Sequence, residues 1–119
     1  MITRRRTEYA ELFGLPADPE AIEKYEALAP AEQESLRLIV TAVAAAAQGL
    51  AAPLTLEWWV DAEDEAWQEF VIAVNPPGTP RERLDMLYRL SDPLERAANQ
   101  LDPQQREWRR ENLGMVLAH

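Results

Sequence analysis

Cysteine is absent from this chain, and histidine occurs once, at the last position, His119. Without cysteine there are no disulfides, thiolate nucleophiles or thiolate–zinc sites. A single terminal imidazole argues against a Ser–His–Asp triad, a histidine general base and a histidine-ligated metal. Glycine is scarce as well. Gly14, Gly49, Gly78 and Gly114 lie far apart, so no loop can cradle a phosphate with clustered glycines. Long hydrophobic runs are missing. The longest apolar segment, around residues 38–47, is too short and alanine-rich to span a bilayer. Lysine occurs once against eleven arginines, which with the many alanines points to a GC-rich bacterial coding sequence.

Arg4-Arg5-Arg6 is not followed by an apolar core, so the N-terminus does not read as an export signal. The expectation is a cytoplasmic protein with no membrane association. Its 119 residues form a single α+β domain, 1–119, with residues 1–6 as a flexible basic arm.

Charge is abundant and uneven. Residues 1–6 carry +3, residues 7–78 carry −12 and residues 79–119 carry zero, which together give the net −9. An acidic body favours basic protein partners by long-range attraction and disfavours a broad nucleic-acid face.

Prolines punctuate the chain. Pro19, Pro30, Pro80, Pro93 and Pro103 sit where first helical residues would, and Asp18, Thr79, Asp92 and Asp102 precede four of them as candidate caps. Thr79 and Glu82 fit a capping box. The pattern predicts a short helix from Thr7 to Phe13 closed by Gly14, a second from about Pro19 to Leu28, and a longer one from about Pro30 to Gln48. Further helices are expected from Pro80, Pro93 and Pro103, the first two as one bent helix or two. Trp108, Asn112 and Met115 mark one side of the last.

Between these groups, Leu54, Leu56, Trp58 and Val60 alternate with other residues, as do Phe70, Ile72 and Val74. A period of two predicts strands at about 54–60 and 69–75, joined by a loop rich in acids. The fold class expected is therefore α+β: N-terminal helices, one antiparallel β-hairpin, then C-terminal helices.

The hairpin's second face carries Thr55, Glu57, Trp59 and Asp61 on one strand and Glu69, Val71 and Ala73 on the other, with Trp67 near the loop. A face turned to water is normally polar throughout. Each hairpin strand would also leave an edge that something must cover: the chain's own C-terminal helices, a second copy or a foreign strand. Glu57, Trp59, Asp61, Trp67, Glu69 and Val71 are the candidate partner-binding residues, with tryptophan anchors and a rim of acids.

Catalytic and metal readings fare worse. A calcium loop starting at Asp61 would need glycine and an acid where Ala66 and Ile72 stand. A magnesium site on Glu57, Asp61 and Glu69 would have no lysine or arginine anywhere in the hairpin. The basic–aromatic cluster Arg106, Trp108, Arg109 and Arg110 reads as a helix with the indole inward and the arginines in water. No catalytic residue, metal or cofactor is assigned. The expectation is a small, acidic, non-enzymatic interaction or regulatory protein, antitoxin-like or an accessory subunit. The alternatives are a homo-oligomer whose hairpins join into one sheet, with a structural or ligand-binding role, and a metal-dependent hydrolase using the hairpin acids.

Overall fold

Strands β3 (Leu54–Val60) and β4 (Gln68–Val74) form the expected antiparallel hairpin, in register from Leu54 opposite Val74 to Val60 opposite Gln68. They do not stand alone. The computed structural model describes residues 10–118, and among these the hairpin is the middle of a five-stranded mixed sheet in the order β1-β2-β3-β4-β5. Four helices accompany it: α1 (Pro19–Glu26), α2 (Pro30–Ala47), α3 (Pro80–Ala98) and α4 (Pro103–Asn112). This corrects the expectation of a lone hairpin flanked by helices. The proposed basic arm, residues 1–6, lies outside the described residues.

The first correction falls at the N-terminal side. Ala10–Leu12 is strand β1 and Leu15–Ala17 is strand β2, where a helix ending at Phe13 was expected. Residues 7–9 of that expected helix lie outside the described residues. Phe13 and Gly14 have φ of 56° and 89°, so the two strands turn through a two-residue loop. Positive φ at both central positions matches the right-handed twist of paired strands. Glycine after a bulky residue signals a left-handed position in either setting, and sequence does not say whether helix or strand precedes it. The Phe13 ring then packs edge-on to Tyr25 of α1, with centroids 5.1 Å apart.

The second correction falls at the C-terminal side. Leu113–Leu117 is strand β5, which pairs with β4 in parallel. Met115 therefore belongs to a strand, and its apparent helical spacing from Trp108 and Asn112 is coincidental. Helix α4 stops at Asn112, whose side-chain amide donates to the Trp108 carbonyl at 2.8 Å. Pro93 starts no helix. It is buried within α3, and Asp92 pairs with Arg96 at 2.5 Å instead of capping.

Both parallel pairings, β2 with β3 and β4 with β5, are bridged by two helices. Parallel neighbours need such long crossovers because a tight turn cannot return the chain. Among the described residues, β2 meets the outer side of β3 at Ala17 opposite Leu56, and β5 lines that of β4 from Phe70 to Val74.

One core holds these layers together. Leu54, Leu56, Phe70, Ile72, Val74 and Leu113 from the sheet pack with residues of all four helices, including Ala21, Leu36, Ile39, Val43, Leu90 and Leu94, with Trp108 against them. Trp58 stacks edge-on against Phe70 at 4.9 Å and lies under Lys24, whose Nζ is 5.2 Å from the ring. Val60, inward by its parity, is 47% exposed at the loop end of β3.

Asp18 ties a helix to the sheet. Its Oδ1 accepts from the Ala21 N–H at 2.6 Å, capping α1, and its Oδ2 accepts from the Trp58 N–H at 3.3 Å. Its own N–H donates to the Leu56 carbonyl. Asp18→Ala is expected to cost about 1–2 kcal/mol in a denaturant titration, the upper range for a lost cap. A cost near zero would mean that Asp18 does not bridge the two elements.

Candidate functional site

Alternation along β3 and β4 sends one set of side chains into the core and the other to the opposite face. That opposite face carries Thr55, Glu57 and Trp59 on β3, then Glu69, Val71 and Ala73 on β4. β5 extends it with Gly114 beside Val71 and Val116 beside Ala73. None of these residues belongs to the core cluster to which every helix contributes. Val71 and Ala73 at its centre are nonetheless buried, and exposure concentrates at the loop end, on Trp59 and Trp67.

The tryptophans and acids on it are not independent. Glu57 uses both carboxylate oxygens: Oε1 accepts from the Trp59 indole Nε1–H and Oε2 from the Thr55 hydroxyl, each at 2.8 Å. Glu69 Oε2 accepts from the Trp67 indole Nε1–H at 3.1 Å. Each indole thus has its one donor occupied within the chain. Trp59 remains 40% exposed and Trp67 57%, so what they offer a partner is ring surface. The carboxylates are held in place by these neutral donors.

Val71 is fully buried although it faces away from the helices. It sits opposite Glu57 and beside Gly114, in the middle of the sheet. Its part is packing within the face, and it gives a partner no surface. Asp61 lies at the loop end, where its N–H donates to the Trp67 carbonyl at 3.0 Å. Its Oδ1 accepts from the Glu63 and Asp64 N–H groups at 2.7 and 3.1 Å, and Asp64 Oδ1 accepts from Ala66 N–H at 3.1 Å. These acids shape the loop by local side-chain-to-backbone bonds. Glu57, Trp59, Trp67 and Glu69 are therefore the four candidates that share the surface.

Gly114 decides how Glu69 lies. A Cβ at this position would come within 2.7 Å of Glu69 Oε1, so glycine lets the carboxylate lean across onto β5. Gly114→Ala is expected to leave the fold intact, because the carboxylate is the movable end of a flexible side chain, and to break the Trp67–Glu69 bond. The check is the Trp67 indole proton resonance, which should shift and exchange faster. An unchanged resonance would place Glu69 elsewhere.

Other candidate chemistry finds no support in the geometry. Among the described residues, no group of three or more His, Asp or Glu side chains converges as metal ligands would. In the basic–aromatic cluster, Trp108 packs against the core. Arg109 pairs with Glu95 at 3.0 Å and Arg110 with Glu107 at 3.5 Å, while Arg106 donates to the Asn99 carbonyl. No helix among the described residues is long and apolar enough to cross a membrane. Comparison with protein-family models, curated proteins and solved structures finds no match.

Gly114 and Val116 were missed from sequence. The signal was the run Phe70-Val71-Ile72-Ala73-Val74, apolar on both parities. Such a strand is buried on both faces and sits centrally in a sheet, with neighbours on either side.

Proposed function

We propose that this protein is a small, acidic, non-enzymatic interaction module that binds a basic protein partner through the loop end of the sheet face opposite the helices. The observation that carries the reading is the combination on that face: two ring surfaces, Trp59 and Trp67, beside two oriented carboxylates, Glu57 and Glu69. Aromatic rings supply contact area at low entropy cost, and acids at the rim select a basic surface and speed encounter. The excess of acids over residues 7–78 acts in the same direction at longer range. An antitoxin-like neutraliser or an accessory subunit fits this description, and a cysteine-free chain suits the reducing cytoplasm.

The test is capture of partners from host lysate by the tagged protein, at low and high salt, beside the Trp59→Ala/Trp67→Ala double variant. A stoichiometric basic protein is expected at low salt, weakened at high salt and lost in the double variant. Capture that ignores both changes would overturn the reading.

A further inference from the structure

We propose that the partner adds an extended strand to the sheet along β5, as a segment in which basic and apolar residues alternate. The proposal rests on the reading of the protein as an interaction module and names how the partner engages it.

β5 has one sheet neighbour among the described residues. The Ala118 N–H donates to the Val74 carbonyl at 2.8 Å. Alternate residues of a parallel strand bond to the same side, so Val116 and Gly114 also point their backbone groups at β4. The N–H and C=O groups of Met115 and Leu117 therefore point away from the sheet. A row of such groups is a template for another strand, and proteins usually blunt it with charge, proline, a bulge or brevity. Leu113–Leu117 has no charge, no proline and an unbroken register of five pairs with β4. The opposite edge, β1, is only three residues long and carries Glu11.

The surroundings describe the missing strand on both of its faces. On the helix side, Ser91 of α3 reaches the Met115 sulfur at 3.8 Å, which marks the flank of α3 beside β5. Residues advance 100° around a helix, so Leu84 and Tyr88 lie about 20° and 60° further round from Ser91. Pro93 and Ala97, on the other flank, face Leu38, Ala42 and Ala46 of α2. Leu84 is 40% exposed and Tyr88 64%, an apolar flank with no cover beside the free edge. A hollow of about 470 Å³ lined by Pro80, Arg83, Leu117 and Ala118 continues it. Inward side chains of an added strand would meet these apolar surfaces.

On the outer side the same strand would meet Gly114 and Val116, with the Glu69 carboxylate leaning over Gly114. Among the described residues, no lysine or arginine forms an ion pair with Glu69. Outward side chains of the added strand should then be basic. Charge also separates this occupant from a second copy. Self-pairing of β5 would set two Glu69 carboxylates on one side of the seam, with no basic residue in Leu113–Leu117 to offset them and a net −9 on each chain.

The experiment titrates the isotope-labelled full chain with a short synthetic peptide alternating lysine and valine, and with its glutamate–valine counterpart. Amide exchange is read at Met115 and Leu117. The lysine peptide is expected to slow exchange at both amides, and the glutamate peptide to leave them unchanged. Glu69→Gln should lower the lysine peptide's affinity about two- to fivefold, as for a cross-strand charge pair. Tyr88→Ser, at an exposed helix position, should lower it about tenfold or more. Shifts confined to Trp59 and Trp67 would overturn the edge and leave the face reading standing. No peptide binding, equal binding of both peptides, or concentration-dependent protection without peptide would each overturn the proposal as well. Loss of face binding, in contrast, is read from the double tryptophan variant and its captured partner.

Discussion

Phe70→Ala is expected to destabilise the protein by about 3–5 kcal/mol, the range for removing a buried aromatic ring. Phe70 is 1% exposed and lies opposite Trp58 on β3 and beside Leu113 on β5. Its ring meets Trp58 edge-on at 4.9 Å, so truncation removes an aromatic contact as well as area. Neighbouring strands are hydrogen-bonded on both sides of β4 and cannot close over the gap. Against a total stability of about 5–15 kcal/mol, this is a large fraction. Urea denaturation should show it as a lower midpoint with little change in slope. The informative control is Val60→Ala, inward by parity but half exposed, which should shift stability by about 0.5 kcal/mol or less. Equal losses at the two sites would contradict the position of the core.

The Trp59→Ala/Trp67→Ala double variant is expected to keep its fold and lose its partner. Hot-spot tryptophans contribute about 2 kcal/mol or more each, about thirtyfold in affinity per ring. Trp67 is 57% exposed and Trp59 40%, and neither belongs to the core cluster, so their loss should cost the fold about 1 kcal/mol each. The acids respond in an informative way. Without the indole N–H groups, Glu57 and Glu69 keep their charge and lose the bonds that fix their direction. Residual binding should therefore remain salt-sensitive while becoming weak, because exposed charge pairs are screened. The measurement is affinity for the captured partner at two salt concentrations, with circular dichroism as the fold check. Unchanged affinity in a folded double variant would remove the sheet face as the binding surface.

Much of the local structure was legible because it depends on neighbours in sequence. Asp18, Thr79 and Asp102 cap helices through their side chains, each before a proline in the first turn. Thr79 and Glu82 complete the box in both directions, and the bonds from Thr79 hold the Glu82 carboxyl below the usual value of 4.5. The alternation in residues 54–60 was sufficient to define β3. What failed was anything set by a partner distant in sequence. Pro93 looks like a start signal, yet it is buried in the middle of α3, where packing outweighs the missing hydrogen bond. Leu113–Leu117 is too short, and its glycine too poor a strand former, to announce itself. It is a strand because β4 has a free side.

For the candidate site, sequence placed Glu57, Trp59 and Glu69 on one face because period-two alternation dictates it. It also put Trp67 nearby. It could not assign Val71 to packing, since that depends on which side chains fold over which backbone.

The sequence by itself determined the excess of acids, the helix starts at Pro19, Pro30, Pro80 and Pro103, the hairpin and the absence of cysteine chemistry, because each follows from composition or from contacts a few residues apart. Only the tertiary structure decided that the hairpin lies inside a five-stranded sheet and that, among the described residues, β5 is an edge strand of it. The reason is physical: pairing β2 with β3 and β4 with β5 brings together segments separated by two helices, and no local pattern encodes which distant strand will satisfy a backbone edge.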